Sequence, residues 1–393
     1  MNQTTLPRLA PKDRCIGCGA CASGCPRGAI HMLPDREGFL YPTVTDACIQ
    51  CGHCSHICPV LKHREPRPEP TVFAAWNPDD AVRSRSSGGG VFSLLAEYVL
   101  DEGGVVFGAG MTPDLHVRHM AIKSKAELPL LRGAKLVQSE IGDAYLRVRH
   151  YLDRDRKVLF TGTPCQVDGL YRFLGEHPEK LLTCDILCRG VPSPGVWQDF
   201  VQSMAYIKQQ RPTSVGFCDK QPGARERRFH VVFDEGFVFD APLGRCDYGR
   251  GYQKGIFMRP ACHTCPYTST DRVGDLSLGM YFGLPKDFCP EEQEQGICLL
   301  LVNSVKGAHM FDTLPLKRVK RPLEEALAGN LALSSPLEPC QERDAFFDAY
   351  AQQSFQQVRQ TFLRPASLSQ VINKAKKPRK HSLKSLFQRK KEH

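Results

Sequence analysis

Eight cysteines near the amino terminus recur at spacings that suit iron–sulfur chemistry. Three thiolates separated by two residues each wrap the corners of one cubic cluster only in a tight loop, and Gly17, Gly19 and Gly52 permit such a loop. Pro26 and Pro59 end the two runs, because proline fixes φ and removes a backbone donor. The eight positions are Cys15, Cys18, Cys21, Cys25, Cys48, Cys51, Cys54 and Cys58.

Each half of this region reads CxxCxxCxxxCP, the run found in bacterial ferredoxins, where the fourth cysteine of one run completes the cluster begun by the other. The run predicts one [4Fe-4S] cluster on Cys15, Cys18, Cys21 and Cys58, and a second on Cys48, Cys51, Cys54 and Cys25. A zinc module is the alternative, but eight cysteines in this order exceed the four ligands of structural zinc. His53 and His56 lie between ligands and are interpreted as spacers that tune cluster solvation.

Length and composition indicate a globular protein of two or three domains, since the chain has 393 residues and is 41% hydrophobic. The longest apolar run, Ile297 to Val302, is far short of the roughly 20 residues of a spanning helix. No apolar stretch that would indicate a signal peptide precedes Cys15. Eighteen cysteines, eight of them at cluster spacing, favour a reducing compartment, and we expect a cytoplasmic protein.

The net charge of +10 is concentrated at the carboxyl end. Nine Lys or Arg lie between Lys374 and Lys391, followed by the single acid Glu392, which leaves about +2 for the rest of the chain. Residues 374–393 are therefore predicted to be a solvated, disordered tail, with an anionic partner or membrane surface as the alternative. No aromatic platform or known motif supports nucleic-acid binding, so none is expected.

Beyond the cluster region, strand and helix patterns alternate, which predicts a mixed α/β domain. Pro66, Pro68 and Pro70 indicate a semi-rigid linker at 61–71. His116 and His119 resemble a metal pair, but their odd separation on a strand points them to opposite faces, so they are interpreted as structural. Strands are predicted at 72–76, 104–108, 115–122, 157–161, 181–187, 229–233, 237–240, 275–278 and 298–303, and helices at 91–100, 141–152, 167–174, from 194 through 207, and at 345–363.

A glycine-rich loop opens the first long helix of this domain. It consists of Ser86, Ser87, Gly88, Gly89 and Gly90. A loop of this kind presents bare backbone N–H groups and the positive end of a helix dipole, which suits a phosphate or an anionic ring edge. A flexible hinge is the alternative, and the absence of a GxGxxG or Walker pattern argues against an ordinary dinucleotide fold.

Four further cysteines could bind a third cluster. Cys165 and Cys188 each follow a predicted strand where a turn meets a helix, and such carboxyl ends line the cleft of an open α/β sheet. A thiolate at a helix N-terminus is stabilised, so Cys165 is either a nucleophile or a metal ligand. Adding Cys262 and Cys265 gives four thiolates and predicts a third [4Fe-4S] cluster, with buried core cysteines as the alternative. Core or spare thiols are expected at Cys184, Cys218, Cys246, Cys289, Cys298 and Cys340.

Six motifs follow one another along the main part of the chain. They are SSGGGVFSLLAEYVL at 86–100, RGAKLVQS at 132–139, VLFTGTPCQVDGL at 158–170, ILCRGVPSPGVW at 186–197, RPACHTCPY at 259–267 and VGDLSLGMYFG at 273–283. In this order they resemble the coenzyme F420 hydrogenase/dehydrogenase beta-subunit family, over about Val72 to Ser304. Many bacterial members carry a dicluster module ahead of these motifs. The resemblance implies an FAD-containing oxidoreductase that passes electrons between iron–sulfur clusters and a soluble two-electron carrier or substrate.

The resemblance also implies roles for particular residues. By position, Ser86 to Gly90, Lys135 and Thr163 would line the flavin, and Cys165, Cys188, Cys262 and Cys265 would bind the third cluster. A lysine near the flavin N1 and C2 carbonyl stabilises the reduced anionic ring. The chain departs from the family in three places. Arg189 replaces the histidine of a Cys-His-Gly turn, and Met280 to Phe282 replace the Asp-Phe-Trp of a Gly-Asp-Phe-Trp-Gly motif. Ala134 and Leu136 replace the Ser and Tyr of the RGSKY motif. The deazaflavin F420 is therefore not assumed to be the electron partner.

Together these features predict an α+β or α/β protein. The expected parts are a 2[4Fe-4S] ferredoxin-like domain (1–60), the linker (61–71), a flavin-binding domain (72–335), a helical segment (336–373) and the basic tail (374–393). The expected activity is an FAD and iron–sulfur oxidoreductase that works with a ferredoxin-type or deazaflavin-type carrier or a small substrate. No catalytic acid or base is assigned, and Asp275 is interpreted either as a pocket carboxylate or as a solvated turn residue. The alternatives are an electron-transfer or assembly subunit that uses only the ferredoxin clusters, and a biosynthetic reductase driven by ferredoxin.

Overall fold

The computed structural model describes residues 7–62, 64–219 and 227–364; the predicted basic tail lies outside them. Thirteen strands lie in the described ranges: β1 Ile30–Pro34, β2 Leu40–Val44, β3 Thr71–Trp76, β4 Val105–Met111, β5 Val117–Ile122, β6 Val158–Gly162, β7 Leu181–Ile186, β8 Pro212–Asp219, β9 Arg228–Phe233, β10 Val238–Pro242, β11 Leu276–Met280, β12 Cys298–Val302 and β13 Lys317–Lys320.

The α-helices of the described ranges are short, and few exceed three turns. They are α1 Ala20–Ser23, α2 His53–His56, α3 Asp80–Ser84, α4 Val91–Asp101, α5 Leu128–Leu131, α6 Ala144–Leu152, α7 Pro164–Leu174, α8 Pro194–Lys208, α9 Asp247–Lys254, α10 Pro290–Gln295, α11 Val305–Thr313, α12 Leu323–Gly329, α13 Arg343–Tyr350 and α14 Phe355–Val358.

An eight-stranded sheet forms the centre of the main domain, in the order β13-β3-β12-β11-β7-β6-β4-β5. Strands β4, β6, β7 and β11 run parallel, and the remaining strands pair antiparallel on both flanks. The parallel strands are apolar runs buried on both faces, as in Val158, Leu159 and Phe160 of β6, none of which is exposed. This sheet confirms the predicted mixed α/β fold and places the carboxyl ends of β6 and β7 side by side.

A second sheet of three antiparallel strands, β8 to β10, packs beside the first. Its buried aromatic side chains share a core with helix α8, in which Trp197 lies 4.8 Å from Phe217 and 5.0 Å from Tyr248 between ring centroids. The four late strands predicted from the sequence divide between the two sheets. Strands β9 and β10 belong to the second sheet, whereas β11 and β12 join the first.

The cluster region folds as two similar loops joined by the β1–β2 hairpin. Gly19 and Gly52 precede the short helices α1 and α2 with φ of 72° and 74°, a left-handed conformation that favours glycine. Gly17 has φ of 67°, and the equivalent position of the second loop, Gln50, is also left-handed with φ of 56°. The internal repeat of the sequence is thus repeated in the backbone.

The carboxyl-terminal segment is not the single helix that the sequence predicts for 345–363. Helix α13 ends at Tyr350, and α14 begins after Ser354, whose hydroxyl accepts a hydrogen bond from the Gln357 N–H. A further turn follows at Arg359–Leu363. The prediction was wrong because the spacing of aromatic residues is helical across a break that a serine cap creates.

The proline-rich linker lies against the main domain. The Arg67 N–H donates to Asp271 Oδ1 at 3.0 Å, and the Arg67 guanidinium donates to the Gly274 carbonyl at 2.7 Å. Arg64 also donates to the Asp271 carbonyl at 2.7 Å. The segment is therefore anchored at Arg64 and Arg67. In the part of the chain that the structure describes, no helix is long and apolar enough to cross a membrane.

Candidate functional site

Cys15, Cys18, Cys21 and Cys58 form the first thiol group. Burial raises the pKa of Cys18 well above its usual value, and the charge of Cys21 adds to the effect, with smaller contributions from Cys15 and Cys58. Burial, followed by the charges of Cys15 and Cys58, raises the pKa of Cys21 to about 12. Cys54 also acts on Cys21, so the second loop comes close to the first.

The second thiol group is nearer to solvent. A small cavity is lined by Cys25, Cys48, Cys51 and Cys54, so the fourth cysteine of the first run meets the first three of the second. Cys54 is buried, which raises its pKa, whereas Cys51 is exposed. Each group thus takes three cysteines from one run and the fourth from the other run, as ferredoxin spacing predicts.

The third thiol group lies at the carboxyl ends of the parallel strands. Cys165 follows β6 in the first turn of α7, and Cys188 follows β7. A short 3-10 turn at Pro260–Thr264 brings the last two thiols to the same place. One cavity is lined by all four members, Cys165, Cys188, Cys262 and Cys265.

Ionising this third group is costly when the thiols face only one another. Burial raises the pKa of Cys165 well above its usual value, and the charge of Cys265 adds to the shift. Burial likewise raises the pKa of Cys188 to about 11 and that of Cys262, with help from Cys188, to about 12. The pKa of Cys265 is also raised by burial. A cluster core that carries positive charge would relieve both the desolvation and the mutual repulsion.

The donor set fits an iron–sulfur cluster better than a single metal ion. Among the described residues, no group of three or more His, Cys, Asp or Glu side chains is packed closely enough to hold one ion. The thiols of the third group instead surround a cavity, and the lining contains no carboxylate or histidine. Four cysteines around a buried cavity are the ligand set that a [4Fe-4S] cluster takes.

Helix α7 brings the first and third thiol groups close together. Cys165 lies in its first turn, and Gly169 lies one turn later on the same face. A Cβ added at Gly169 would lie 2.9 Å from Cys18 Cβ and 3.1 Å from Cys18 Sγ. Four residues of helix span roughly 6 Å. The two groups are therefore separated by about one helical turn along this face.

Two buried tyrosines fill the space around this contact. Tyr145 donates to the Gln166 carbonyl at 2.6 Å, and Tyr267 donates to Asp168 Oδ2 at 2.8 Å. Burial raises the pKa of both phenols, and the charges of Cys18 and Cys165 contribute to each shift. Both rings therefore lie within electrostatic reach of the first and third thiol groups, and both phenols are neutral.

Thr163, predicted to line a flavin, lies at the third thiol group. Its hydroxyl is 3.1 Å from Cys165 Sγ and 3.0 Å from Gln166 Oε1, with which it forms a capping box at the start of α7. Gln166 in turn donates to Ser139 Oγ at 3.0 Å, and Ser139 Oγ is 3.0 Å from His119 Nδ1. His119 Nε2 donates to the Thr161 carbonyl at 3.0 Å, so His119 is a member of a buried polar chain, which agrees with the structural role predicted for it. His116 is exposed beside Asp114.

The glycine-rich loop leads into α4 as predicted. Gly90 precedes the helix with φ of 78°. Ser87 Oγ accepts from the Ala134 N–H at 2.7 Å, which brings the loop to the segment that carries Lys135. The Lys135 ammonium donates to the Arg132 carbonyl at 2.6 Å. The loop candidates Ser86, Ser87, Gly88, Gly89 and Gly90 therefore lie near Lys135, while Thr163 is at the thiol cavity.

Arg227 adds a cation to this loop that sequence reasoning missed. Its guanidinium donates to the Ser87 carbonyl at 2.6 Å and contacts the sulfur of Met280 at the end of β11. Burial lowers its pKa. Beside it lies an open cavity of about 410 Å³, which Arg245 and Gln253 also line. Arg227, Arg245 and Gln253 give this cavity several hydrogen-bond donors, which suits an anionic ligand.

Asp275 is a structural residue, so both interpretations of it, a pocket carboxylate and a solvated turn residue, were wrong. Its carboxylate accepts from the Thr183 hydroxyl at 2.9 Å and from the Ser304 hydroxyl at 2.7 Å, and the side chain is buried. Cys184 and Cys298 are buried in the apolar core beside the sheet, as expected of core thiols. The buried pair of Arg272 and Asp185 supports the turn that precedes β11.

Arg259, Tyr145 and Tyr267 were also missed by sequence reasoning. Each is nearly fully buried and lies between thiol groups that are far apart in the chain. The only local signal is that Arg259 and Tyr267 flank the Cys262–Cys265 pair. Tyr145 lies on helix α6, and nothing in its local sequence distinguishes it from an ordinary core residue.

Comparison with known proteins gives matches to two family models and to solved structures. Residues 14–61 match the 4Fe-4S dicluster domain, and residues 155–319 match the C terminus of the coenzyme F420 hydrogenase/dehydrogenase beta subunit. A search of curated proteins returns no match. A xenon derivative of the F420-reducing [NiFe] hydrogenase complex from Methanosarcina barkeri aligns with a TM-score of 0.44 and 18% identity, over 75% of this chain and 91% of that chain. The chain thus combines an amino-terminal segment that matches the 4Fe-4S dicluster domain with a later segment that matches the C terminus of the coenzyme F420 hydrogenase/dehydrogenase beta subunit.

Proposed function

We propose that this protein is an iron–sulfur flavoprotein oxidoreductase. Electrons would pass one at a time through two ferredoxin-type clusters and a third [4Fe-4S] cluster, and a bound FAD would exchange them in pairs with a soluble carrier or a small substrate. The matches to the dicluster domain and to the beta-subunit family support electron transfer as the general role. Free thiolates of this number suit a reducing compartment such as the cytoplasm.

The observation that carries the proposal is the third thiol group. Cys165 and Cys188 are separated from Cys262 and Cys265 by more than seventy residues of sequence, yet all four line one buried cavity. Four core cysteines without a shared ligand have no reason to converge in this way. The cavity also adjoins Ile16 of the first cluster loop, which gives the third cluster a neighbour to exchange electrons with.

For the flavin, support comes from the loop at Ser86 to Gly90 and its two cations. Lys135 and Arg227 would bind the anionic parts of FAD, and the start of α4 would present backbone N–H groups to a phosphate. FAD supplies the exchange between two-electron and one-electron chemistry. The proposal does not fix the carrier, because Arg189 and Met280 replace residues that the family usually has beside the flavin.

Anaerobic reconstitution followed by iron and flavin analysis tests the proposal. Three cubes require about twelve iron atoms per chain. The Cys188→Ser variant should lose about four of them. Cys340→Ser, which changes a thiol outside all three groups, should keep the full number. FAD should be released on denaturation of the wild-type protein, and Lys135→Ala should bind it more weakly.

About eight iron atoms in the wild-type protein, with no loss in Cys188→Ser, would remove the third cluster. Full iron without any flavin would instead favour a subunit that only transfers electrons. Product analysis with reduced ferredoxin would separate a biosynthetic reductase from an enzyme that turns over F420.

A further inference from the structure

Arg259 is a buried cation between the first and third thiol groups. Only 1% of its surface is exposed. Its Nε donates to the Cys15 carbonyl at 2.6 Å, Nη1 donates to Gln138 Oε1 at 3.0 Å, and Nη2 donates to the Leu40 carbonyl at 3.1 Å. Nη2 also lies 3.8 Å from Cys15 Sγ. The guanidinium therefore directs its donors to neutral groups and to one cluster sulfur.

No carboxylate pairs with Arg259 among the described residues. The other deeply buried arginines do have acidic partners: Arg83 pairs with Glu292, Arg272 with Asp185 and Arg343 with Glu37. Arg259 instead lies over the Tyr41 ring, 4.2 Å from its centroid, and 5.4 Å from that of Phe39. A buried charge without a counter-charge is strongly unfavourable, so a compensating negative charge is expected in the working protein.

Both neighbouring thiol groups would supply that charge once they hold clusters. Arg259 lines the cavity of the third group together with Cys262 and contacts Cys15 of the first group. A cube held by four thiolates carries net negative charge, and reduction adds to it. The first cluster loop is also shaped around the guanidinium, because a Cβ at Gly17 would lie 2.7 Å from Arg259 Nη1.

We infer that Arg259 is a positioning residue that acts as the shared counter-charge of the first ferredoxin cluster and the third cluster, and that it raises the reduction potential of both. The effect on the first cluster requires only that the dicluster domain holds its clusters. Its effect on the third cluster rests on the proposed function.

The chemistry is electrostatic and moves no proton. Arg259 would lie between the two clusters, so transfer of one electron from one to the other would carry one unit of negative charge past its guanidinium. A guanidinium is a permanent cation in proteins, so only electrons would move. A cation placed between the two clusters stabilises the reduced form of each and lessens the repulsion between them.

The test is a redox titration of the full-length reconstituted protein, followed by electron paramagnetic resonance of the reduced clusters. Arg259→Gln removes the charge. Gln138→Glu keeps the guanidinium in place but gives it a carboxylate at the position of Oε1, at the cost of one hydrogen bond from Gln138 to the Ile16 carbonyl. Arg36→Gln is the control, because Arg36 lies exposed on the same domain.

Both Arg259→Gln and Gln138→Glu should weaken electron uptake by the first cluster at least tenfold, which is about 59 mV for a one-electron couple. The cluster of the second thiol group, which Arg259 does not touch, should shift little, and Arg36→Gln should change neither potential. If Arg259→Gln fails to fold, Gln138→Glu alone decides. Unchanged potentials in Gln138→Glu would overturn the inference. If the wild-type protein holds only two clusters, the part of the inference that concerns the third cluster is wrong. The shift in the potential of the first cluster can still be measured in that case.

Discussion

The contact between Gly169 and Cys18 fixes the approach of the first thiol group to helix α7, and Gly169→Ala tests it. Gly169 lies within the helix, so alanine is compatible with its backbone conformation. The added Cβ would nevertheless lie 2.9 Å from Cys18 Cβ and 2.8 Å from Tyr145 Oη, below the ordinary contact range of 3.4–4 Å. The first cluster loop or the helix must move by several tenths of an ångström.

Two opposing effects set the expected stability change. Overpacking of this kind costs about 1–3 kcal/mol, and replacing glycine by alanine inside a helix gains about 1 kcal/mol. The net loss is therefore about 0–2 kcal/mol, small enough for the variant to fold. The specific effect should fall on the first cluster, because Cys18 Cβ is close to the backbone and has little freedom to turn away.

Iron analysis and electron paramagnetic resonance would detect this effect. We expect Gly169→Ala to change the signal of the first cluster or to lower the iron content, while the cluster of the second thiol group is unaffected. Adding Tyr145→Phe removes the hydroxyl from the clash but leaves Cys18 in contact, so the double variant should show the same cluster change. Wild-type iron and an unchanged spectrum in Gly169→Ala would refute the close packing of Cys18 on α7.

Two further predictions concern buried charge. Burial lowers the pKa of His119 to about 4 from its usual 6.5, so its stabilising effect is complete above about pH 6.5 and is lost as the pH falls toward 4; the shift is worth about 3 kcal/mol in all, with about 2 kcal/mol lost by pH 5. The melting temperature of the wild-type protein should therefore fall more steeply between pH 7.5 and pH 5 than that of His119→Gln. Equal dependence of the two melting temperatures on pH would contradict this. Arg272→Met leaves Asp185 buried without a cation and should cost about 3–5 kcal/mol. The double variant Arg272→Met/Asp185→Asn also removes the unpaired carboxylate, so its melting temperature should be higher than that of Arg272→Met. If it is not higher, the loss comes from packing and not from the buried charge.

Much of the fold was predictable because its strands are local patterns. The buried runs of β6 and β7 are apolar throughout and end at turn residues, so both their existence and their ends were found to within a residue or two. The glycine loop before α4 was also predictable from a local signal, because the left-handed conformation at Gly90 favours glycine. Positions that depend on a strand end, such as Cys165 and Cys188, follow from these elements.

Contacts between distant segments were not predictable in the same way. Arg259 and Cys15 are 244 positions apart, and no local pattern marks an arginine that has no acidic partner. Asp275 was misinterpreted because a carboxylate beside glycine has the same local signature in a solvated turn and in a buried hydrogen-bond network. The helix expected at 345–363 failed because aromatic spacing records which residues are buried, not whether the backbone between them is continuous.

The packing of the cluster region also bears on how electrons would pass. A tethered domain would sample many distances from the main sheet, and transfer would depend on its encounters. Here Phe39 of the hairpin shares a core with Phe347, Glu37 pairs with Arg343, and Gly38 approaches Gly195 so closely that a Cβ would lie 2.5 Å from its Cα. These contacts, together with the anchored linker, hold the first thiol group against α7. The first and third thiol groups are therefore held together in the folded core, and the proposed transfer between them would need no domain movement.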